Sequence, residues 1–320
     1  MVIFTIPARN EARHIADAVK RLARSLELVK TIEARSAEPG ARHEGEGETR
    51  IPELGVRHDG LRASGFGLGK LDWRIVVAVN GSTDGTAERA REARSPELGE
   101  RLEVIECPKA GKGAAIKYAA ERQSEARSAE SGMEGKPGAR SPEYGMRGFG
   151  LRASGLESIF GFIDADLSAD PDAIPDMVEK IINDEADIVI ASRWLQLKTT
   201  NRAFFRNATS WVFNLFAHAL LGLKVKDAQC GLKVMNSKAV EILKNCQEDG
   251  WFLDIEFLAK ARQDGLRILE VPVPWTEFRY PDRKSQIRHI QDGIGALRAM
   301  WRIRGRIARS PEPGARHEVN

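Results

Sequence analysis

Apolar and polar positions follow two different periods along this chain. Residues 2–6, 74–79, 102–106, 159–163 and 187–191 are short and almost uninterrupted apolar runs, the pattern of strands buried on both faces of a sheet. Between them, over about 11–32, 84–94, 112–123 and 172–183, apolar residues recur at helical spacing. Repeated strand–helix units predict an α/β fold with a mostly parallel, twisted sheet and helices on both faces. In such a fold each helix returns the chain to the N-terminal edge of the sheet, so ligands gather at the C-terminal ends of the strands.

Repeats interrupt this alternation. Residues 33–44 return almost unchanged at 307–318, shorter versions stand at 92–99, 125–132 and 138–147, and the Gly-Leu-Arg-Ala-Ser-Gly of 60–65 recurs at 150–155. The copies are irregularly spaced, rich in Gly, Pro, Glu and Arg, and share no apolar face, so they are not stacked solenoid units. They read as low-complexity insertions whose composition predicts mobility. The expected organisation is a single domain over 1–306, interrupted at about 33–70 and 124–158 and briefly at about 92–101, with a repeat-type tail at 307–320. Every internal insert falls in a helix-to-strand link, on the edge of the sheet opposite the expected ligand site.

Composition narrows the classes. With 49 Lys+Arg against 46 Asp+Glu the net charge is +3, so no global field points to nucleic acid as a partner. Cys107, Cys230 and Cys246 are odd in number and lack metal-type spacing, which favours free thiols in a reducing cytosol. The chain opens directly on a strand, with no charged lead and cleavable apolar segment, so a cytoplasmic protein is expected.

The chemistry stands at strand ends. Asp164-Ala165-Asp166 closes the fourth run, and two carboxylates one residue apart are comfortable only where water reaches both or a cation lies between them. Their oxygen ligands suit Mg2+ or Mn2+ holding a diphosphate. Pro7-Ala8-Arg9-Asn10-Glu11 ends the first run and serves either as a helix cap or as a binding loop. Asn80-Gly81-Ser82-Thr83-Asp84-Gly85 ends the second; its glycines permit close approach, while Asn80, Ser82 and Asp84 offer hydrogen bonds to a nucleoside and Asp84 also suits capping the next helix. After the third run, Lys112 between Gly111 and Gly113 at a helix start suits an anion such as a diphosphate. Neither a Walker P-loop nor a Gly-x-Gly-x-x-Gly opening is present, which weakens kinase and dehydrogenase readings.

Taken in order, Pro-Ala-Arg-Asn-Glu, Asn-Gly-Ser-Thr-Asp-Gly-Thr, Gly-Lys-Gly-Ala-Ala and Asp-Ala-Asp-Leu-Ser resemble glycosyltransferase family 2. The resemblance implies a GT-A nucleotide-sugar-binding fold and transfer with inversion. It implies a nucleotide-sugar site drawing on Pro7, Arg9, Glu11, Asn80, Ser82, Asp84, Lys112 and Asp164, with Glu11, Asn80 and Asp84 around base and ribose. Asp164 and Asp166 would hold the metal and the diphosphate. Many members carry Asp-Asp-Gly-Ser where this chain has Val79-Asn80-Gly81-Ser82, which leaves the base open between the UDP-glucose and GDP-mannose types.

The second half resembles the polyprenyl-phosphate sugar transferases, with the dolichyl-phosphate β-glucosyltransferase type nearest and the mannosyltransferase type next. Ile190-Ala-Ser-Arg193, Lys226-Asp-Ala-Gln-Cys-Gly-Leu-Lys233, Phe252-Leu-Asp-Ile-Glu256 and Glu270-Val-Pro-Val-Pro-Trp275 carry that likeness. A polyprenyl phosphate, mostly dianionic near neutral pH, attacks without a protein base and needs cations to hold it. Arg193, Arg206 and Lys233 are the candidates. Asp227 and Asp254 would position the sugar or these cations, or supply the base if the acceptor were a hydroxyl instead. A binding protein without turnover is the non-enzyme alternative. The apolar segment 211–223 and the basic amphipathic stretch 285–309 suggest peripheral contact with the inner face of a membrane, or else helices buried in the domain.

Overall fold

The structure, a computed structural model, describes residues 1–36, 71–133, 158–195, 220–276 and 289–309. Most of both long inserts, Arg206, residues 211–219 of the apolar segment and the tail from 310 onward lie outside the described residues. Among the described residues, seven strands form one sheet in the order β3-β2-β1-β4-β6-β5-β7. They are β1 (Val2–Ala8), β2 (Trp73–Val79), β3 (Leu102–Glu106), β4 (Ile159–Ile163), β5 (Ile188–Ser192), β6 (Leu232–Met235) and β7 (Ile268–Pro272). All adjacent pairs are parallel except those of β6, which runs antiparallel to both β4 and β5. Among the described residues the helices are α1 (Ile15–Ser36), α2 (Thr86–Glu92), α3 (Lys112–Met133), α4 (Ile174–Ile182), α5 (Ser237–Lys244), α6 (Leu253–Gln263) and α7 (His289–Ile307).

The five apolar runs became β1 to β5, and β1, β4 and β5 are buried along their whole length. Register explains the glycine in the middle of β4. Gly161 faces Phe4 of β1, and a Cβ there would stand 2.4 Å from the Phe4 ring, so the ring crosses β4 only because no side chain intervenes.

Two strands escaped the periodicity. β6 contains Lys233, a lysine with no exposed surface, and so does not read as a buried strand; β7 is mostly half-buried. Helix ends also moved. α1 starts at Ile15 because Glu11 O first accepts the N–H groups of His14 and Ile15 in a turn, both at 2.9 Å. α3 runs on to Met133, past the expected stop at 123, because the Glu, Ala and Arg of the repeat are good helix formers in register with it.

The basic C-terminal helix packs inward. Ala299, Met300 and Ile303 of α7 are buried, while Arg302 and Arg306 reach Glu248 at 3.2 and 3.0 Å. Of the two alternatives for this stretch, membrane contact or burial in the domain, Met300 and Ile303 follow the second, because an apolar stripe is stabilised wherever it leaves water. Trp301 remains 62% exposed. Among the described residues, no helix is long and apolar enough to cross a membrane.

Candidate active site

The strand order reverses between β1 and β4: β2 and β3 lie on one side and β6, β5 and β7 on the other. In open α/β sheets the crevice at such a reversal receives the ligand. The first wall is made by the loops after β1 and β2, stapled to each other. Asn10 N donates to Ser82 Oγ at 3.0 Å, Thr83 N returns a bond to Asn10 Oδ1 at 3.0 Å, and Ala12 N donates to Asp84 Oδ2 at 3.0 Å. Asn10 has φ 56°, a left-handed conformation that asparagine tolerates better than most residues. Beneath them the buried Asn80 amide donates to Ala8 O at 3.1 Å and accepts from Gly111 N at 3.1 Å. Asn80 thus ties together the ends of β1, β2 and β3, a structural duty that its motif did not announce.

Asp84 is anionic in this setting. Burial pushes its carboxyl up, but hydrogen bonds from the Thr86 hydroxyl and from the backbone of Ala12 and Thr86 outweigh this and hold it below the ordinary value. Glu11 is buried, and its N–H donates to Thr86 Oγ1 at 2.9 Å. Pro7 pairs in register with Ala78 inside the sheet, whereas Arg9 is exposed at the rim.

The second wall is the turn after β4. Asp164 N donates to Gly231 O at 3.1 Å, Leu167 N donates to Asp164 O at 2.9 Å, and Ser168 N donates to Asp166 Oδ1 at 3.0 Å. Leu167 is buried and has φ 47°, an unfavourable conformation for a leucine. The strained turn holds both carboxylates at the strand end. A Cβ on Gly231 would stand 2.0 Å from Asp164 Oδ2, so that carboxylate rests directly on the glycine.

Lys112 closes the other side. Its Nζ lies 2.8 Å from Asp164 Oδ1 and 3.6 Å from Asp254 Oδ2, with the Trp251 ring 5.3 Å away. Burial alone would depress this ammonium, but Asp164 and then Asp254 outweigh it and hold the proton on firmly. Burial, opposed by Lys112 and assisted by Asp166, leaves the Asp164 carboxyl above its ordinary range. The glycines beside Lys112 have a packing role: a Cβ on Gly113 would lie 2.8 Å from the Asp249 carbonyl carbon, and Ala114 N already donates to Asp249 O at 2.9 Å. This start of α3, expected to receive an anion through its free amides, is partly capped by protein.

Behind Lys112 the charges continue inward. Lys233 Nζ donates to Asp254 Oδ1 at 2.6 Å and to Cys230 O at 2.6 Å beneath the Phe162 ring. Fully buried, Lys233 acts on Asp254 and presents no surface to an acceptor. Arg193 embraces Asp227, donating from Nε at 2.6 Å and from its backbone N at 2.9 Å, with its guanidinium over the Trp275 ring at 4.6 Å. Burial opposes the Arg193 charge, but Asp227 more than compensates, and its pKa is raised. Glu270 of β7 accepts from the N–H groups of Lys226 and Asp227, each at 2.8 Å, and so fixes that loop.

Lys112, Asp164, Asp166, Asp254 and Lys233 thus form one charged cluster, with Arg193 and Asp227 as a separate pair. Sequence reasoning did not single out Gly231 or the 55% exposed Trp251. The small residue opposite an aspartate has no local signature, whereas a tryptophan directly preceding the Phe252–Glu256 motif could have been noticed.

The donor set of Asp164 and Asp166 is oxygen only, and among the described residues no group of three or more His, Cys, Asp or Glu side chains could hold a metal alone. This fits Mg2+ or Mn2+ completing its shell with phosphate and water, and the ammonium at Asp164 shows that a cation is accommodated there. The three cysteines are free, as expected, and Cys230 and Cys246 are buried.

Comparison with known proteins bears on the family and the fold. The family model for Glycosyl transferase family 2 matches residues 56–124 and 145–243, more than half of the chain, and leaves the Pro7–Glu11 motif outside the match. Glycosyltransferase AglD of Haloferax volcanii is 32% identical over 155 residues, 46% of this chain and 24% of that protein. The dolichyl-phosphate beta-glucosyltransferase of Saccharomyces cerevisiae is 26% identical over 217 residues, 64% of this chain and 57% of that protein. The polyprenol monophosphomannose synthase of Mycolicibacterium smegmatis is 26% identical over 156 residues, 48% of this chain and 58% of that protein. The chain therefore spans less than two thirds of each of these relatives. Glucosyl-3-phosphoglycerate synthase from Mycobacterium tuberculosis, crystallised with Mn2+, UDP-glucose and phosphoglyceric acid, superposes with a TM-score of 0.54 at 16% identity, covering 98% of this chain and 82% of that one. That likeness is one of fold, the GT-A arrangement that the motifs implied. With the family model spanning more than half of its length on a sheet of this topology, the chain belongs to glycosyltransferase family 2.

Proposed function

We propose that the protein transfers a hexose, with inversion, from a nucleotide sugar of the UDP-glucose or GDP-mannose type to a polyprenyl phosphate at the cytoplasmic face of a membrane. The carrying observation is the juxtaposition of Asp164, Asp254 and Lys112 at the strand-order reversal, with Nζ 2.8 Å from one carboxylate and 3.6 Å from the other. The stapled loops of Asn10, Ser82 and Asp84 form the nucleoside side, with Pro7, Arg9, Glu11 and Asn80 holding or rimming them. Asp164 and Asp166 hold the metal–diphosphate, and Lys112 neutralises charge on the departing diphosphate. The metal, when bound, supplies Lewis-acid stabilisation of that leaving group.

Two observations favour a phosphate acceptor over a hydroxyl. Asp227 is held on both oxygens by Arg193, and Asp254 is engaged by Lys233 at 2.6 Å and Lys112 at 3.6 Å. Carboxylates so engaged are poor general bases, which a hydroxyl acceptor requires and a phosphate dianion does not. Arg193, with its side chain 13% exposed, is the acceptor-facing cation, and Asp227 and Asp254 act as positioning groups. Lys233 holds Asp254 in place, and Arg206 is assigned to the acceptor side from sequence alone. Peripheral membrane contact follows from the lipid nature of the acceptor.

A panel of UDP- and GDP-sugars with washed short-chain polyprenyl phosphates, with and without EDTA, tests the reading. One sugar nucleotide should yield an organic-extractable glycosyl phosphate that EDTA abolishes. Transfer only to glycan hydroxyls, or transfer unaffected by EDTA, would overturn it.

A further inference from the structure

Lys112 is paired with one of the two carboxylates read above as metal ligands. Its ammonium sits 2.8 Å from Asp164 Oδ1, while Asp164 Oδ2 rests on Gly231, where even a methyl group would come within 2.0 Å. One oxygen of Asp164 is thus engaged by the ammonium and the other is backed by Gly231, while the side chain keeps 28% of its surface exposed, so a cation arriving at Oδ1 competes with Lys112. The Gly231 side is fixed, because its carbonyl is bonded to Asp164 N at 3.1 Å. Lys112 is the movable partner: a second carboxylate oxygen, Asp254 Oδ2, already waits 3.6 Å from its Nζ. The Phe162 and Trp251 rings, 5.9 and 5.3 Å from Nζ, offer it further cation–π support.

We propose that Lys112 is a resident counter-cation for Asp164 and gives up this place only when a nucleoside diphosphate arrives, so that metal and diphosphate enter as a pair. The inference rests on the reading of Asp164 and Asp166 as the metal–diphosphate carboxylates. Alone, a divalent ion has to displace an ammonium that Asp164 and Asp254 hold, and it meets that repulsion at close range. The diphosphate would change the balance by giving the ammonium an anionic partner. Coupling of this kind is reciprocal: the metal strengthens nucleotide binding by the same factor. The arrangement would keep the carboxylate pair charge-balanced between turnovers and disfavour loading of metal without substrate.

The test uses the full chain and Mn2+ alone, followed by electron paramagnetic resonance of the free ion, with UDP and GDP as the added diphosphates. Wild type should bind Mn2+ weakly by itself and much more tightly with the preferred diphosphate. Lys112→Met, which keeps the length of the side chain without its charge, should bind Mn2+ alone more tightly by on the order of tenfold. Its gain on adding the diphosphate should shrink by a similar factor. Lys112→Gln guards against misfolding of the methionine variant, and circular dichroism reports whether each is folded. A folded variant that binds Mn2+ alone no more tightly than wild type, while wild type still shows diphosphate-assisted binding, overturns the counter-cation role and leaves the donor site standing. Absence of Mn2+ binding to wild type with either diphosphate overturns both.

Discussion

Gly231→Ala is a small change with a calculable consequence. The backbone at this position carries no left-handed strain, so alanine is conformationally acceptable, and the effect comes from the methyl group alone. That methyl would be placed 2.0 Å from Asp164 Oδ2, 2.3 Å from Cγ and 3.0 Å from Cβ, whereas ordinary contact begins at 3.4 Å. Relief requires the carboxylate to retreat by about 1.4 Å, because overpacked atoms move the softest neighbour first. The Gly231 carbonyl cannot readily retreat instead, since it accepts the Asp164 N–H at 3.1 Å. Overpacking of this kind costs about 1–3 kcal/mol, a fall of a few degrees in Tm for a chain of this size. Function should suffer more: a displacement of about 1 Å at a reacting centre typically lowers the rate about 100-fold. The assay is hexose transfer under saturating donor, alongside a thermal melt. Gly250→Ala, where an added Cβ meets nothing within 4 Å, is the matched control and should transfer like wild type. A Gly231→Ala protein transferring within about threefold of wild type would refute the claim that Asp164 must rest against this glycine.

Two further outcomes follow from the charged groups. Asp254→Asn removes the carboxylate that Lys233 reaches at 2.6 Å in a fully buried site, and should destabilise the fold by about 3 kcal/mol, with partial recovery in the Asp254→Asn, Lys233→Met double variant; a double variant no more stable than the single one contradicts the pairing. Asp187 joins three strands, accepting from Arg267 N at 2.8 Å and from Asn236 Nδ2 at 2.8 Å. Burial pushes its carboxyl up, but the Arg267 and Asn236 hydrogen bonds prevail and hold it below 3.8, so its contribution is complete above that value and disappears as pH falls through the lowered one. Urea midpoints of wild type and Asp187→Asn should therefore differ near neutrality and converge in acid; a gap that widens in acid contradicts the sign.

Much of the fold was legible because burial on both faces of a sheet leaves a local mark. The runs that became β1 to β5 needed no partner to be recognised, and the motif ends Asn10, Asn80 and Asp164 fell at C-terminal strand edges for the same reason. Helix boundaries were less accurate where the repeat's own helix-forming residues carried α3 to Met133. β6 was invisible because its lysine, read as a phosphate-holding surface cation, is neutralised by an aspartate 21 positions along the chain and buried with it.

By itself, then, the order of residues determined the alternating α/β plan, the position of the paired aspartates at a strand end and the family to which the motifs belong. Only the tertiary structure decided the partners: Gly231 beneath Asp164, Lys112 between Asp164 and Asp254, Arg193 locked to Asp227, and the apolar stripe of α7 turned toward the core. The division has a physical cause. Backbone geometry and hydrophobic periodicity are set by near neighbours in sequence, whereas a buried charge is tolerated only through a counter-charge brought from elsewhere in the chain by packing.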